Sequence, residues 1–108
     1  MTKYEMLQHL LNTLIFKELI TKYLHCDKIN VILSEYEKDQ YLLDVEVIDV
    51  LNDQEVKMYT ESFEIELDYR GSVRSFFIRF SDKVTVNSAF ESADLGEKIE
   101  DFLKSRLN

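Results

Sequence analysis

Proline is absent from the 108 residues, glycine occurs twice and cysteine once. With no proline and no clustered glycine or serine, no stretch reads as an interdomain linker, so a single domain over residues 1–108 is expected. Gly71 and Gly96, 25 positions apart, cannot build a phosphate-cradling loop, which excludes dinucleotide and P-loop chemistry. A lone Cys26 permits no internal disulfide and suits a reducing compartment. Long apolar runs are missing too. Nothing approaches the roughly 18 residues of a membrane span, and Gln8, His9 and Asn12 interrupt the only segment placed to serve as a signal-peptide core. The expected location is therefore cytoplasmic, without membrane association.

Positive charge is also scarce: 13 Lys and Arg stand against 21 Asp and Glu, for a net charge of −8. That sign disfavours direct binding to nucleic acid. The deficit is localised, because residues 33 to 68 hold twelve acids and only Lys38 and Lys57, a net −10, while the remainder is +2.

What is present is strong patterning. Thr2 followed by Glu5 makes a capping-box pair, and Leu7, Leu10, Leu11, Leu14, Ile15, Leu19, Tyr23 and Leu24 recur at helical spacing behind it. One long helix over residues 3 to 24 is expected, with Asn12-Thr13 as a point where it can bend. From Lys28 to Asn87 the period changes to two. Ile29, Val31 and Leu33 mark one strand, and Leu43, Val45 and Val47 a second after the polar turn Glu37-Lys38-Asp39-Gln40. Phe63, Ile65 and Leu67 mark a third, Phe76, Ile78 and Phe80 a fourth, and Val84-Thr85-Val86 a short fifth. Ser88 with Glu91 reads as the cap of a final helix whose apolar face is Leu95, Ile99, Phe102, Leu103 and Leu107. The fold class is α+β: a long N-terminal helix, an antiparallel meander of four to five strands and a C-terminal helix.

A two-residue type II′ turn at Gly71-Ser72 would set Leu67 opposite Phe76, Ile65 opposite Ile78, Phe63 opposite Phe80 and Glu64 opposite Arg79. A slip by one residue would bury the polar side, so the alternation itself fixes the faces.

Chemistry is thin. His25-Cys26-Asp27 resembles a ligand set, but adjacent side chains diverge and no second cluster completes four ligands. Cys26 with His9 or His25 lacks an orienting group and an oxyanion site for nucleophilic catalysis. No catalytic residue, metal or cofactor is expected, and the chain reads as a non-enzyme.

The functional expectation rests on one sheet face. Asp44-Glu46 and Glu64-Glu66-Asp68 form carboxylate rows opposite the apolar positions. They serve solubility, or they dock on a basic protein surface such as that of a nucleic-acid-binding protein. A three-residue loop at Asn52-Asp53-Gln54 would pair Ile48 with Met58 and Val50 with Val56 on the same side, an apolar cluster that Phe77 extends. A terminal helix is expected to cover this cluster; left open, it marks a partner or homodimer surface. The leading function is a protein-interaction module of regulator, inhibitor or anti-defence type. The alternative is a small-molecule carrier or sensor with a cavity lined by Tyr59, Phe63, Phe76 and Phe80.

Overall fold

The computed structural model describes residues 1–80 and 86–108. Thr2 caps the first helix as the capping pair predicts, its hydroxyl accepting from the Glu5 amide at 3.1 Å. That helix is short. α1 spans Lys3–Leu11 and a separate α2 spans Leu14–Leu24, which corrects the single long helix.

The cause lies at Asn12 and Thr13, whose short polar side chains offer the backbone local partners in place of helical ones. Asn12 Nδ2 donates to the Gln8 carbonyl at 2.8 Å; Thr13 Oγ1 donates to Leu10 O at 2.8 Å and accepts from the Phe16 amide at 3.3 Å. Thr13 is extended, at φ −69° and ψ 151°, and is the N-cap of α2. Restarting there resets the helical phase. Leu7 and Leu11 are buried from α1, but α2 buries Phe16 and Ile20 and leaves Leu14 and Ile15 exposed, both of which a continuous helix places against the core.

Four antiparallel strands follow, β1 (Lys28–Glu37), β2 (Gln40–Leu51), β3 (Gln54–Leu67) and β4 (Val73–Arg79), as a meander in the order β1-β2-β3-β4. The α+β class and the meander hold, with four strands among the described residues. The fifth strand expected at Val84-Thr85-Val86 lies outside them, apart from Val86, which opens α3 (Val86–Leu107). Ser88 thus sits in the first turn of α3 and not at its cap.

Alternate strand positions supply the core face: Ile29, Val31 and Leu33, then Tyr41, Leu43, Val45 and Val47, then Phe63, Ile65 and Leu67, all buried. Leu7, Leu11, Phe16 and Ile20 pack on that face from α1 and α2, and Leu95, Ile99, Phe102 and Leu103 from α3, in one continuous core. The molecule is two layers, with all three helices on one side of the sheet. Gly96 sets the closeness of α3, since a Cβ there would lie 2.8 Å from Ile78 Cγ1.

Both later hairpins depart from the expected register. Asn52 and Asp53 take φ of 52° and 61°, the signature of a two-residue type I′ turn, so Leu51 pairs with Gln54 and the three-residue loop is not formed. Between β3 and β4, Phe63 faces Ile78, Ile65 faces Phe76 and Glu64 faces Phe77, two residues away from the expected pairing. Asp68 is responsible. Its carboxylate accepts from the Arg70 and Ser72 amides at 2.9 and 3.0 Å, and its own amide donates to Ser72 O at 2.9 Å, building a wider loop than Gly71-Ser72 alone. A slip of two preserves the faces. Gly71 does adopt a positive φ, 85°.

The sheet edges meet the chain ends. The Tyr4 hydroxyl donates to Leu33 O on β1 at 2.9 Å, while the Val73 amide at the start of β4 donates to Asn108 Oδ1 at 2.8 Å. Among the described residues no helix is long and apolar enough to cross a membrane.

Candidate interaction face

The second face of the sheet carries no helix among the described residues, because all three contribute to the core on the other side. The terminal helix expected over it is therefore not there. Cross-strand pairing lays this face out in rows: Lys28, Ile48 and Lys57; Asn30, Glu46 and Thr60; Ile32, Asp44, Ser62 and Arg79; Ser34, Leu42, Glu64 and Phe77. Phe77 is 60% exposed on edge strand β4, Leu42 and Ile48 are half-buried on β2, and Ile32 is 46% exposed on edge strand β1. Tyr36, displaced by a bulge in β1, stands 54% exposed at the same edge. Its phenol is pushed above its ordinary value by partial burial, then by the carboxylates of Glu64, Glu37 and Glu66, while Arg79 acts against the rise.

The carboxylates sit where alternation places them, but they are engaged. Asp44 accepts from Ser62 Oγ at 2.6 Å. Glu46 accepts from Asn30 Nδ2 at 2.8 Å and pairs with Lys57 at 3.5 Å; the Asn30 hydrogen bond, with Lys57 behind it, holds the Glu46 carboxyl below its ordinary value. Glu55 pairs with Lys28, and Glu66 takes Arg74 at 3.3 Å and Ser75 Oγ at 3.2 Å. Glu64 lies between Leu42 and Phe77, its cross-strand neighbours. Asp68 is outside the row altogether: it follows the end of β3 and its oxygens are committed to the loop and to Arg70. Exposed pairs of this kind are screened and weak one by one. Together they turn an acidic strip into a mixed lattice of charge in which apolar side chains are set.

The apolar cluster does not assemble as expected. Ile48 faces Lys57 and Val50 faces Glu55, while Val56 faces Asp49 and so turns to the other side of the sheet. Met58 is the extra residue where the β2–β3 register shifts between Val47 and Ile48. Val50, Val56 and Met58 are instead spread, 46%, 37% and 50% exposed, along the arm that ends in the Asn52-Asp53 turn. Of the expected cluster, Phe77 remains beside Glu64 and Ile48 beside Glu46.

The tripeptide His25-Cys26-Asp27 points three ways. His25 caps α2 in the left-handed region (φ 54°), Cys26 Sγ lies 3.7 Å from Lys28 O, and Asp27 Oδ2 accepts from the Val50 amide at 2.6 Å. Burial, then Asp49, pushes the Cys26 thiol above its ordinary value, which suppresses the thiolate a nucleophile needs. Among the described residues no group of three or more His, Cys, Asp or Glu is placed to hold a metal ion. The four aromatics assigned to a carrier cavity separate as well. Phe63 is fully buried against Phe76, ring centres 5.5 Å apart, whereas Phe80 and Tyr59 are 52% and 44% exposed.

Ile32 and Leu42 are the residues of this face that sequence reasoning passed over. Each lies inside an apolar run, Val31-Ile32-Leu33 and Tyr41-Leu42-Leu43, where alternation is masked. Counting parity from Ile29 and Leu33 in β1, and from Leu43 and Val45 in β2, would have turned both to the side of Asp44 and Glu46. Comparison of the chain with protein-family models, with curated proteins and with solved structures finds no match.

Proposed function

We propose that this protein is a non-enzymatic interaction module that docks a protein partner on the uncovered face of its sheet. The observation that carries the reading is the coexistence, on a face without a helix among the described residues, of exposed Ile32, Tyr36 and Phe77 with an ion-paired lattice around them. A face meant only to stay wet has no use for half-exposed Ile and Phe on both of its edge strands, β1 and β4, and protein interfaces favour aromatic anchors. The net charge of −8 selects for a partner with a basic surface through long-range steering, and regulators or inhibitors act in this way.

Because most carboxylates of the face are already partnered, contact affinity rests on the apolar anchors and salt acts mainly on the rate of encounter. Capture of partners from the source cell by wild type and by an Ile32→Lys, Phe77→Lys double variant tests this. The variant is expected to lose the bound partner at low and high salt alike; an unchanged set of captured proteins overturns the proposal. Light scattering on the same pair identifies a second copy of the chain as partner if wild type is a dimer and the variant a monomer.

A further inference from the structure

On the other side of the sheet, where α2, β3 and α3 meet, lies a cavity of about 300 Å³, near the lower end of the range for ligand pockets. Tyr23 and Tyr59 stand in its wall with Glu61, Glu91 and His25, and Leu95 is buried beneath. Glu61 is the anomaly. It pairs with Val45, so alternation turns it to the core-facing side of β3, two positions before fully buried Phe63. One carboxylate oxygen is fixed there by Ser92 Oγ at 2.8 Å, and Ser92 is only 2% exposed. Keeping a carboxylate and a buried hydroxyl on a core-facing side costs more than an aliphatic residue would, so the sequence gains nothing in stability from this pair.

The neighbours of Glu61 share one preference. Tyr59 lies on the same face, opposite Val47, and presents its ring with Tyr23 of α2; Glu91 approaches from the first turns of α3. The Tyr23 ring already holds a cation, the Lys98 ammonium 4.7 Å from its centre. Among the described residues that line the cavity, only His25 can carry positive charge. Burial raises the Tyr59 phenol and Glu61, Cys26 and Glu91 add to the rise; burial likewise raises the Tyr23 phenol, with Asp94 and Glu91 adding to it.

We propose that this cavity binds an organic cation, an alkylammonium or guanidinium group, with its charge received by Glu61 and Glu91 and its alkyl stem against Tyr23 and Tyr59. The same chemistry is offered by a free amine and by a Lys or Arg side chain of a partner. The site lies on the opposite side of the sheet from the docking face, and neither depends on the other.

The test is an NMR titration of the full chain, following amide shifts, with n-butylammonium, with n-butanol as its neutral match, and with a lysine tripeptide flanked by glycines. Butylammonium is expected to move the amides of Tyr59, Glu61, Glu91 and Ser92, and butanol to leave them in place. Glu91→Gln, on an exposed residue that does not endanger the fold, should weaken binding about threefold or more, and Glu61→Gln likewise; Tyr59→Leu should weaken it while Tyr59→Phe, which keeps the ring, should not. Tighter binding of the free amine assigns the site to a small molecule, tighter binding of the tripeptide to a partner side chain. Butylammonium behaving as butanol does, or both glutamine variants binding as wild type, overturns the proposal. Phe77→Lys should leave the titration unchanged, which keeps its outcome separate from that of the sheet face.

Discussion

Replacing Gly96 by alanine sets helix propensity against packing at a single atom. In a solvated helix the change would add about 1 kcal/mol of stability. In α3 the new Cβ would lie 2.8 Å from Ile78 Cγ1, 3.0 Å from Ile78 Cδ1 and 3.3 Å from Phe63 Cε1. The Ile78 side chain can yield only in part, and Phe63 is fully enclosed by core and does not yield. Overpacking of this kind costs roughly 1–3 kcal/mol, so the net expectation is a loss of about 0–2 kcal/mol, and about 1 kcal/mol lowers the melting temperature of a domain this size by roughly 4 °C or more. Urea unfolding of wild type and Gly96→Ala measures it, and a peptide covering α3 measures the opposing gain in helicity. The contact is isolated by repeating the change in an Ile78→Ala background, where Cγ1 and Cδ1 are gone and alanine should become neutral or stabilising. A protein stabilised by about 1 kcal/mol by Gly96→Ala alone would refute the close approach of α3 to β4.

Other outcomes follow from the same structure. Asp53→Gly relieves a side chain at φ 61° and completes the Asn-Gly pair that type I′ turns favour, so it should raise stability by about 0.5–1 kcal/mol in urea unfolding; a loss would contradict the turn. Tyr4→Phe keeps the ring stacked 6.4 Å from Tyr41 and removes only the hydrogen bond to Leu33 O, a loss of about 1 kcal/mol, measurable by thermal melting and absent if the edge contact is not formed. Acid should destabilise the fold through Glu46 and Asp68. Glu46 is depressed by Asn30 and Lys57; at Asp68 burial pushes upward, but the Ser72 and Arg70 amides and the Arg70 guanidinium outweigh it and leave the carboxyl low. A depressed carboxylate contributes stability in full above its unfolded value and loses it as pH falls through the folded one, so urea midpoints should drop from about pH 5 downward, less steeply in Asp68→Asn. A midpoint flat to about pH 3 would contradict this.

Periodicity carried most of the fold. Alternation named Ile29, Val31, Leu33, Leu43, Val45, Val47, Phe63, Ile65 and Leu67, and each is buried. What it could not carry was phase across a break and register across a turn. Thr13 is a poor reason to end a helix until its hydroxyl is seen serving both Leu10 and Phe16, and that small event decides that Phe16 and Ile20, rather than Leu14 and Ile15, meet the core. Asp68 reads as one more acid in a row because its role depends on amides brought round by a loop. For the candidate face, parity placed Asp44, Glu46, Glu64, Glu66 and Phe77 together, but the hydrogen-bond donors Asn30 and Ser62 and the cation Lys57 that engage Asp44 and Glu46 come from other strands and only the pairing reveals them. Glu61 was hidden for a further reason: the register shift between Val47 and Ile48 interrupts the alternation of β3 just before it, so its inward direction follows from Val45 alone.

The hydrogen bonds that hold Val73 to Asn108 and Ser72 to Leu107 span 35 positions each. They give synthesis a direction. As the chain leaves the ribosome, β1 to β3 can pair as nearest neighbours through tight turns, but β4 receives neither its α3 cover nor the clasp on its first amide until residues 107 and 108 have emerged. A nascent sheet of this kind waits with one margin undressed, and a translational pause or frameshift within α3 leaves that margin available to the next chain on the same message.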